Sequence, residues 1–150
     1  MSDLKTHLET ERDALRAFAA LLQTEQELLV AENVHRLQEL AEQKSRAATQ
    51  LAALIQNRLD ALRSAGVSEL GAWLADHAPD MLPVWHDIQQ LSQQAQRLNS
   101  VNGELIQVRL RHNQQALAAL NAAAGESAML YGRDGQPNLP NSNKRVLGSG

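Results

Sequence analysis

The chain has no cysteine at all. That excludes disulfides, thiolate metal sites and a cysteine nucleophile, and it is compatible with a reducing compartment. Aromatic residues are almost as scarce, at 3% against 43% hydrophobic residues overall. A core must therefore be built from Leu and Ala, which suits closely approaching helices better than a roomy ligand pocket and leans away from an enzyme or a small-molecule substrate. A basic excess is also missing: the formal net charge is -3, and clusters such as Lys144-Arg145 are isolated, so nucleic acid is not an expected partner. No apolar run approaches the roughly 18 residues of a membrane span, and the opening "MSDLKTHLETERD" lacks the apolar stretch of a secretory signal. The expectation is a soluble, cytoplasmic protein without membrane insertion, and at 150 residues one domain with enough chain for a core.

What the sequence does have is heptad periodicity. Leu4, Leu8, Glu11, Leu15, Phe18, Leu22, Glu25 and Leu29 alternate spacings of four and three, the seam of a helix that packs against others and that should end near Glu32. Asn33 then offers an N-cap, and Leu37, Leu40, Lys44, Ala47, Leu51, Leu54, Arg58 and Ala61 continue the spacing in a second helix that stops at Gly66. So short a junction allows an antiparallel hairpin or one long bent helix; the hairpin is the expectation. Beyond Gly66, Ser68 reads as the cap of a short connecting helix around Trp73 and Leu74, halted before Pro79.

A third long helix runs from about Pro83 through Trp85, Ile88, Leu91, Ala95, Leu98, Asn102, Ile106, Leu110, Asn113, Leu117 and Leu120, and is expected to end before Gly125. Between Leu98 and Leu110 the spacing is four, four and four, a stutter that locally unwinds a heptad supercoil, and it falls on "NSVNG". The remainder, "GESAMLYGRDGQPNLPNSNKRVLGSG", is too rich in Gly, Pro, Asn and Ser to repay the entropy of ordering. The expected architecture is thus all-α: an elongated antiparallel bundle of three long helices plus a short connecting helix over residues 1–124, with a mobile C-terminal tail over 125–150.

Three stretches carry a family resemblance. "TEQELLVAENVHRLQELAEQKSRAATQLAAL", then "LNSVNGELIQVRLRHNQQALAAL", then "LYGRDGQP" resemble, in this order, the FlgN family of flagellar type III export chaperones. The ordered set is a Glu on the first helix, a Lys on the second, an Asn-x-x-Asn-Gly element, an Asn-Gln-Gln-Ala-Leu stretch and a tail Tyr-Gly. The region between Gly66 and Pro83 carries no such motif. The resemblance implies a cytosolic protein that binds the hook-filament junction proteins FlgK and FlgL and takes them to the export gate, whose protein FlhA docks the tail tyrosine. A Leu/Ala-faced helix can shelter a partner's amphipathic helix by the helix-in-groove mode, without cofactor and without chemistry.

Individual residues admit two readings each. Glu25 and Lys44 both sit on their seams, where a hairpin would bring them together as an ion pair that fixes register. His77 and His86 lie near Asp76, Asp80 and Asp87, but no pair has the i, i+4 spacing of helical metal ligands, so surface histidines are the better account and no metal is expected. Trp73 and Trp85 could anchor a partner, yet in a chain this poor in aromatics the core is the natural place for them. Asn99, Asn102 and Gly103 interrupt an apolar face: a helical Gly costs about 1 kcal/mol against Ala, and a buried unpaired amide about 1–3 more. They are either a weak point or a recognition element, Gly103 admitting a close helix and the amides choosing its register.

With Leu105, Ile106, Leu110, Asn113, Leu117 and Leu120 they form the expected cargo-binding set. Leu130, Tyr131 and Gly132 form the expected gate-docking set, with a fold-back cap on the bundle end as the alternative for Leu130 and Tyr131. Against these stand a structural coiled-coil subunit that self-associates through the same face, and an enzyme. For an enzyme the sequence offers no Gly-rich phosphate loop, no nucleophile with a neighbouring base and no paired acids on an evident cleft, so no catalytic residue is assigned.

Overall fold

The protein is described by a computed structural model covering the backbone of residues 2–131 and the side chains of residues 3–125. Four α-helices occupy almost all of it: α1 Ser2–Val30, α2 Val34–Ser64, α3 Leu70–His77 and α4 Leu82–Tyr131, with a 3-10 turn at Pro79–Met81. No strand occurs among the described residues.

The sequence sets both ends of the α1–α2 hairpin. At the close of α1, Glu32 takes a left-handed backbone (φ 58°) while Asn33 N–H donates to Leu28 O at 3.0 Å and Glu32 N–H to Leu29 O at 3.3 Å. These are the two bonds of a Schellman cap, here made without glycine. Asn33 then turns to its second task and caps α2, its Oδ1 accepting from Arg36 N–H at 3.4 Å. The chain thus reverses in three residues, as a hairpin and not a bent helix. Gly66 (φ 73°) closes α2 by the same motif, with Val67 N–H on Leu62 O at 2.9 Å and Gly66 N–H on Arg63 O at 3.1 Å. There glycine adopts the left-handed conformation without a Cβ penalty.

Two compact units divide the chain at Leu105 and Ile106. In the first, α2 runs antiparallel to α1, since His7 meets Leu54, Glu11 meets Arg58 and Glu25 meets Lys44. α3 and the 3-10 turn carry the chain across the open end of the hairpin, so that α4 starts there and ascends parallel to α1. Arg58 lies over Trp85 near the start of α4, and Glu25 meets Asn102 well along it. The core is the expected leucine stripe: Leu8, Leu15, Leu22, Leu51, Ile88 and Ala95 from the long helices, and Leu70, Leu74 and Met81 from the crossover. Trp73 and Trp85 are half-buried against it.

Two boundaries differ from the expectation. The N-cap of α3 is Glu69, without a side-chain capping bond, and not Ser68. α1 ends at Val30, near Glu32 as expected, where the Schellman turn takes over. α4 passes through Gly125 and continues to Tyr131. One glycine costs about 1 kcal/mol but removes no backbone donor, and the Ala-rich "AALNAAAGESAML" around it propagates the helix. The expected tail therefore begins as helix over 125–131, and its remainder lies outside the described residues.

In the second unit the described residues belong to α4 alone. None of residues 106–125 is buried. No helix among the described residues is long and apolar enough to cross a membrane.

Candidate functional site

Helix α4 presents two different kinds of seam. Up to Asn102 its inward positions, Ile88, Ala95 and Asn102, are buried. Beyond Asn102 the same positional pattern faces solvent: Ile106, Leu110, Leu117 and Leu120 are 39%, 54%, 53% and 67% exposed. Ile106, Leu110, Asn113, Leu117, Leu120 and Ala124 alternate spacings of four and three, so they form one stripe, a coiled-coil seam with an Asn in its middle. Asn113 is exposed and Leu105, beside the stripe, is half-buried.

The change occurs at the stutter, where a polar clamp joins three helices. The Asn102 amide, 1% exposed, donates to Leu22 O at 2.9 Å and to Glu25 Oε1 at 2.8 Å. Both neighbours are acceptors, so the orientation of the amide is fixed by chemistry. Lys44 Nζ donates to both Glu25 oxygens at 3.1 Å. Glu25 on α1 therefore receives bonds from α2 and α4 at once, which locks the rotation of α4 where its heptad phase slips. Asn102 Oδ1 is buried with no partner. This placement corrects the expectation for Asn102: it is a bundle residue, because a carboxylate and a carbonyl of α1 sit opposite its amide and leave it unavailable to another chain. Its neighbours Asn99 and Gly103 are exposed, and a Cβ at Gly103 would meet nothing within 4 Å.

A second clamp lies two heptads away. Arg58 Nε donates to Glu11 Oε1 at 2.9 Å and Oε2 at 3.2 Å, and its guanidinium stands 5.0 Å over the Trp85 ring. His7 Nε2–H donates to Leu54 O at 2.9 Å and lies 3.6 Å from Glu11. Heptad spacing puts Glu11 and Arg58 on their seams without by itself pairing them. The signal was present: Glu11 precedes Glu25, and Arg58 follows Lys44, by the same two heptads, so a hairpin that joins one pair joins the other.

The remaining candidates find local explanations. The His77 ring stacks on Trp73 (centroids 4.5 Å apart), with Nδ1 3.0 Å from Trp73 O. Among the described residues no group of three His, Asp or Glu is placed to hold a metal. The groove between α2 and α4, about 540 Å³, is lined by Arg58, Trp85, His86, Ile88, Ser92 and glutamines, with no carboxylate in its lining. Leu130 and Tyr131 are the last residues of α4; their side chains, and Gly132 altogether, lie outside the described residues.

The class these features define is a helical scaffold of the coiled-coil type, in which buried charges fix the register of three helices and the last helix carries an additional apolar seam. The sequence pattern of the family described as FlgN protein matches residues 1–138, and the chain belongs to that family. Among curated relatives, the Flagella synthesis protein FlgN of Yersinia enterocolitica serotype O:8 / biotype 1B is 33% identical over 134 residues, covering 88% of this chain and 87% of the relative. The Flagella synthesis protein FlgN of Proteus mirabilis is 28% identical over 138 residues, covering 91% and 90%. No solved structure matches the chain.

Proposed function

We propose that this protein serves flagellar assembly as a cytosolic export chaperone: it holds hook-filament junction proteins of the FlgK and FlgL type on the exposed seam of α4 and delivers them to the export gate protein FlhA. The observation that carries the reading is the exposure of Ile106, Leu110, Leu117 and Leu120 on a helix whose earlier turns bury the equivalent positions. An aligned run of half-exposed leucines at heptad spacing is a surface to which an amphipathic helix can add. The family resemblance supplies the identity of that helix, a terminal segment of a junction protein awaiting assembly. The proposed cargo set also includes Asn99, Gly103 and Leu105, which precede the surface in the chain, and Asn113 within it. The clamp at Glu25, Lys44 and Asn102 belongs to the scaffold.

Calorimetric titration of a FlgK-type protein into the chaperone tests this. Ile106→Asp and Leu117→Asp should each weaken binding by more than about 1 kcal/mol, since a charge replaces an apolar contact in the buried centre of an interface. Both residues are about half exposed in the free chain, so the melting temperature should hold. If every variant that loses binding also unfolds, these residues belong to the chaperone's own core and the reading fails.

Gate docking is assigned to Leu130, Tyr131 and Gly132, with Tyr131, the single tyrosine of the chain, as aromatic anchor. Tyr131→Ala should keep cargo affinity and stability but lose affinity for the cytoplasmic domain of FlhA, and with it secretion of junction proteins. Undiminished gate affinity would remove the anchor role, and a large fall in melting temperature would instead make the residue a cap.

A further inference from the structure

The exposed seam has a charge signature that the function above does not use. Between Glu104 and Glu126, from Leu105 to Gly125, the chain contains Arg109, Arg111 and His112 but no Asp or Glu, although the protein as a whole carries net charge -3. Arg111 and His112 are exposed. A helix with its side chains is about 10–12 Å across, and the Debye length is about 10 Å at 0.1 M salt, so a cation on the outer side of α4 still acts on whatever lies along the seam.

The seam is also finite and marked. Ile106 to Ala124 spans 18 steps of the helix, about 27 Å at the usual rise. At its middle the Asn113 amide interrupts the apolar stripe, where a facing leucine would leave it unpaired on desolvation.

Resting on the assignment of cargo to this face, we propose that the α4 seam selects an acidic amphipathic helix of about 20 residues from another protein, with a polar side chain opposite Asn113. A second copy of the chain is the poorer occupant, because pairing two seams brings together two segments that hold cations and no carboxylate. Arg111 acts through long-range attraction and Asn113 through pairing, so the first sets affinity in a salt-dependent way and the second sets register.

The test uses the full chain and labelled 21-residue peptides with a leucine heptad seam flanked by Glu, Gln or Lys, read by fluorescence anisotropy. At 50 mM NaCl the Glu peptide should bind at least tenfold tighter than the Lys peptide, with the Gln peptide between them. At 500 mM NaCl the gap should close to under threefold. Arg111→Glu should narrow the low-salt gap at least threefold. A Glu peptide with Asn at its central seam position should be preferred over the all-Leu form by the native chain, and Asn113→Leu should reverse that order.

Equal affinities for the three charge types, or no response to Arg111→Glu, would overturn charge selection. If Leu117→Asp still abolishes binding of all three, the docking face itself stands. Binding indifferent to Leu117→Asp would overturn the face and this inference together. Failure of the Glu peptide to bind at 100 µM, or a stable dimer of the free chain from which peptides are excluded, would overturn the proposal as well.

Discussion

The two buried clamps share a register but differ in depth, and that difference predicts unequal consequences for removing their cations. The Glu11 side chain is 1% exposed and that of Arg58 13%, whereas Glu25 and Lys44 are 10% and 26% exposed. Arg58→Met would strip Glu11 of the N–H that its two oxygens share and leave only His7, 3.6 Å away. Removing one member of a buried pair costs about 3–5 kcal/mol, to which loss of the guanidinium over Trp85 adds about 0.5–2. Lys44→Met leaves Glu25 still accepting from Asn102 at 2.8 Å and closer to solvent, so its cost should be about 1–2 kcal/mol. The double variant Glu11→Met/Arg58→Met removes both charges and keeps apolar volume. It should lie within about 1 kcal/mol of the native chain, because well-packed hydrophobic residues replace buried ion pairs at little net cost. Urea unfolding followed by tryptophan fluorescence isolates the relevant unit, since Trp73 and Trp85 both lie within residues 1–105. An Arg58→Met cost no greater than that of Lys44→Met, or a double variant no more stable than Arg58→Met alone, would contradict this difference in depth.

Glu32→Gly should raise stability by up to about 1 kcal/mol in the same assay, because it relieves a left-handed non-glycine residue in the Schellman turn. Gly66→Ala should lower stability by about the same amount through strain alone, as its Cβ would meet no atom within 4 Å. Gly103→Ala should stabilise the isolated chain by up to about 1 kcal/mol, with no clash in the chain itself. If a partner helix approaches closely there, the same change should weaken FlgK-type cargo in calorimetry; unchanged cargo affinity would withdraw Gly103 from the binding face.

The helices were legible because their seams are long and regular. The alternation of four and three from Leu4 to Leu29 and from Leu37 to Ala61 names the inward faces, and Asn33 and Gly66 mark the turns. What the sequence could not reveal is which face of a polar residue meets which neighbour. Asn102 reads as partner-facing because an amide in a seam needs a hydrogen-bonding group opposite it, and nothing in α4's own text says that Glu25 and Leu22 O of α1 supply two. The Glu11–Arg58 pair is hidden for the opposite reason: both residues lie on their seams, but only the hairpin register set by Glu25 and Lys44 connects them. The continuation of α4 past Gly125 reflects a graded quantity, a propensity cost of about 1 kcal/mol, that an alanine-rich surrounding outweighs. The exposure of Leu110, Leu117 and Leu120 is equally invisible in α4 alone, since a seam reads the same whether or not another helix covers it.

Hydrogen exchange of the full chain, with and without a bound FlgK-type protein, shows whether a clamped bundle offers the later seam of α4 to cargo. Cargo should slow exchange chiefly across residues 106–124, while α1, α2 and residues 82–102 of α4, already held by the core and the two clamps, change little. Protection concentrated on α1 and α2, with residues 106–124 unchanged, would contradict it.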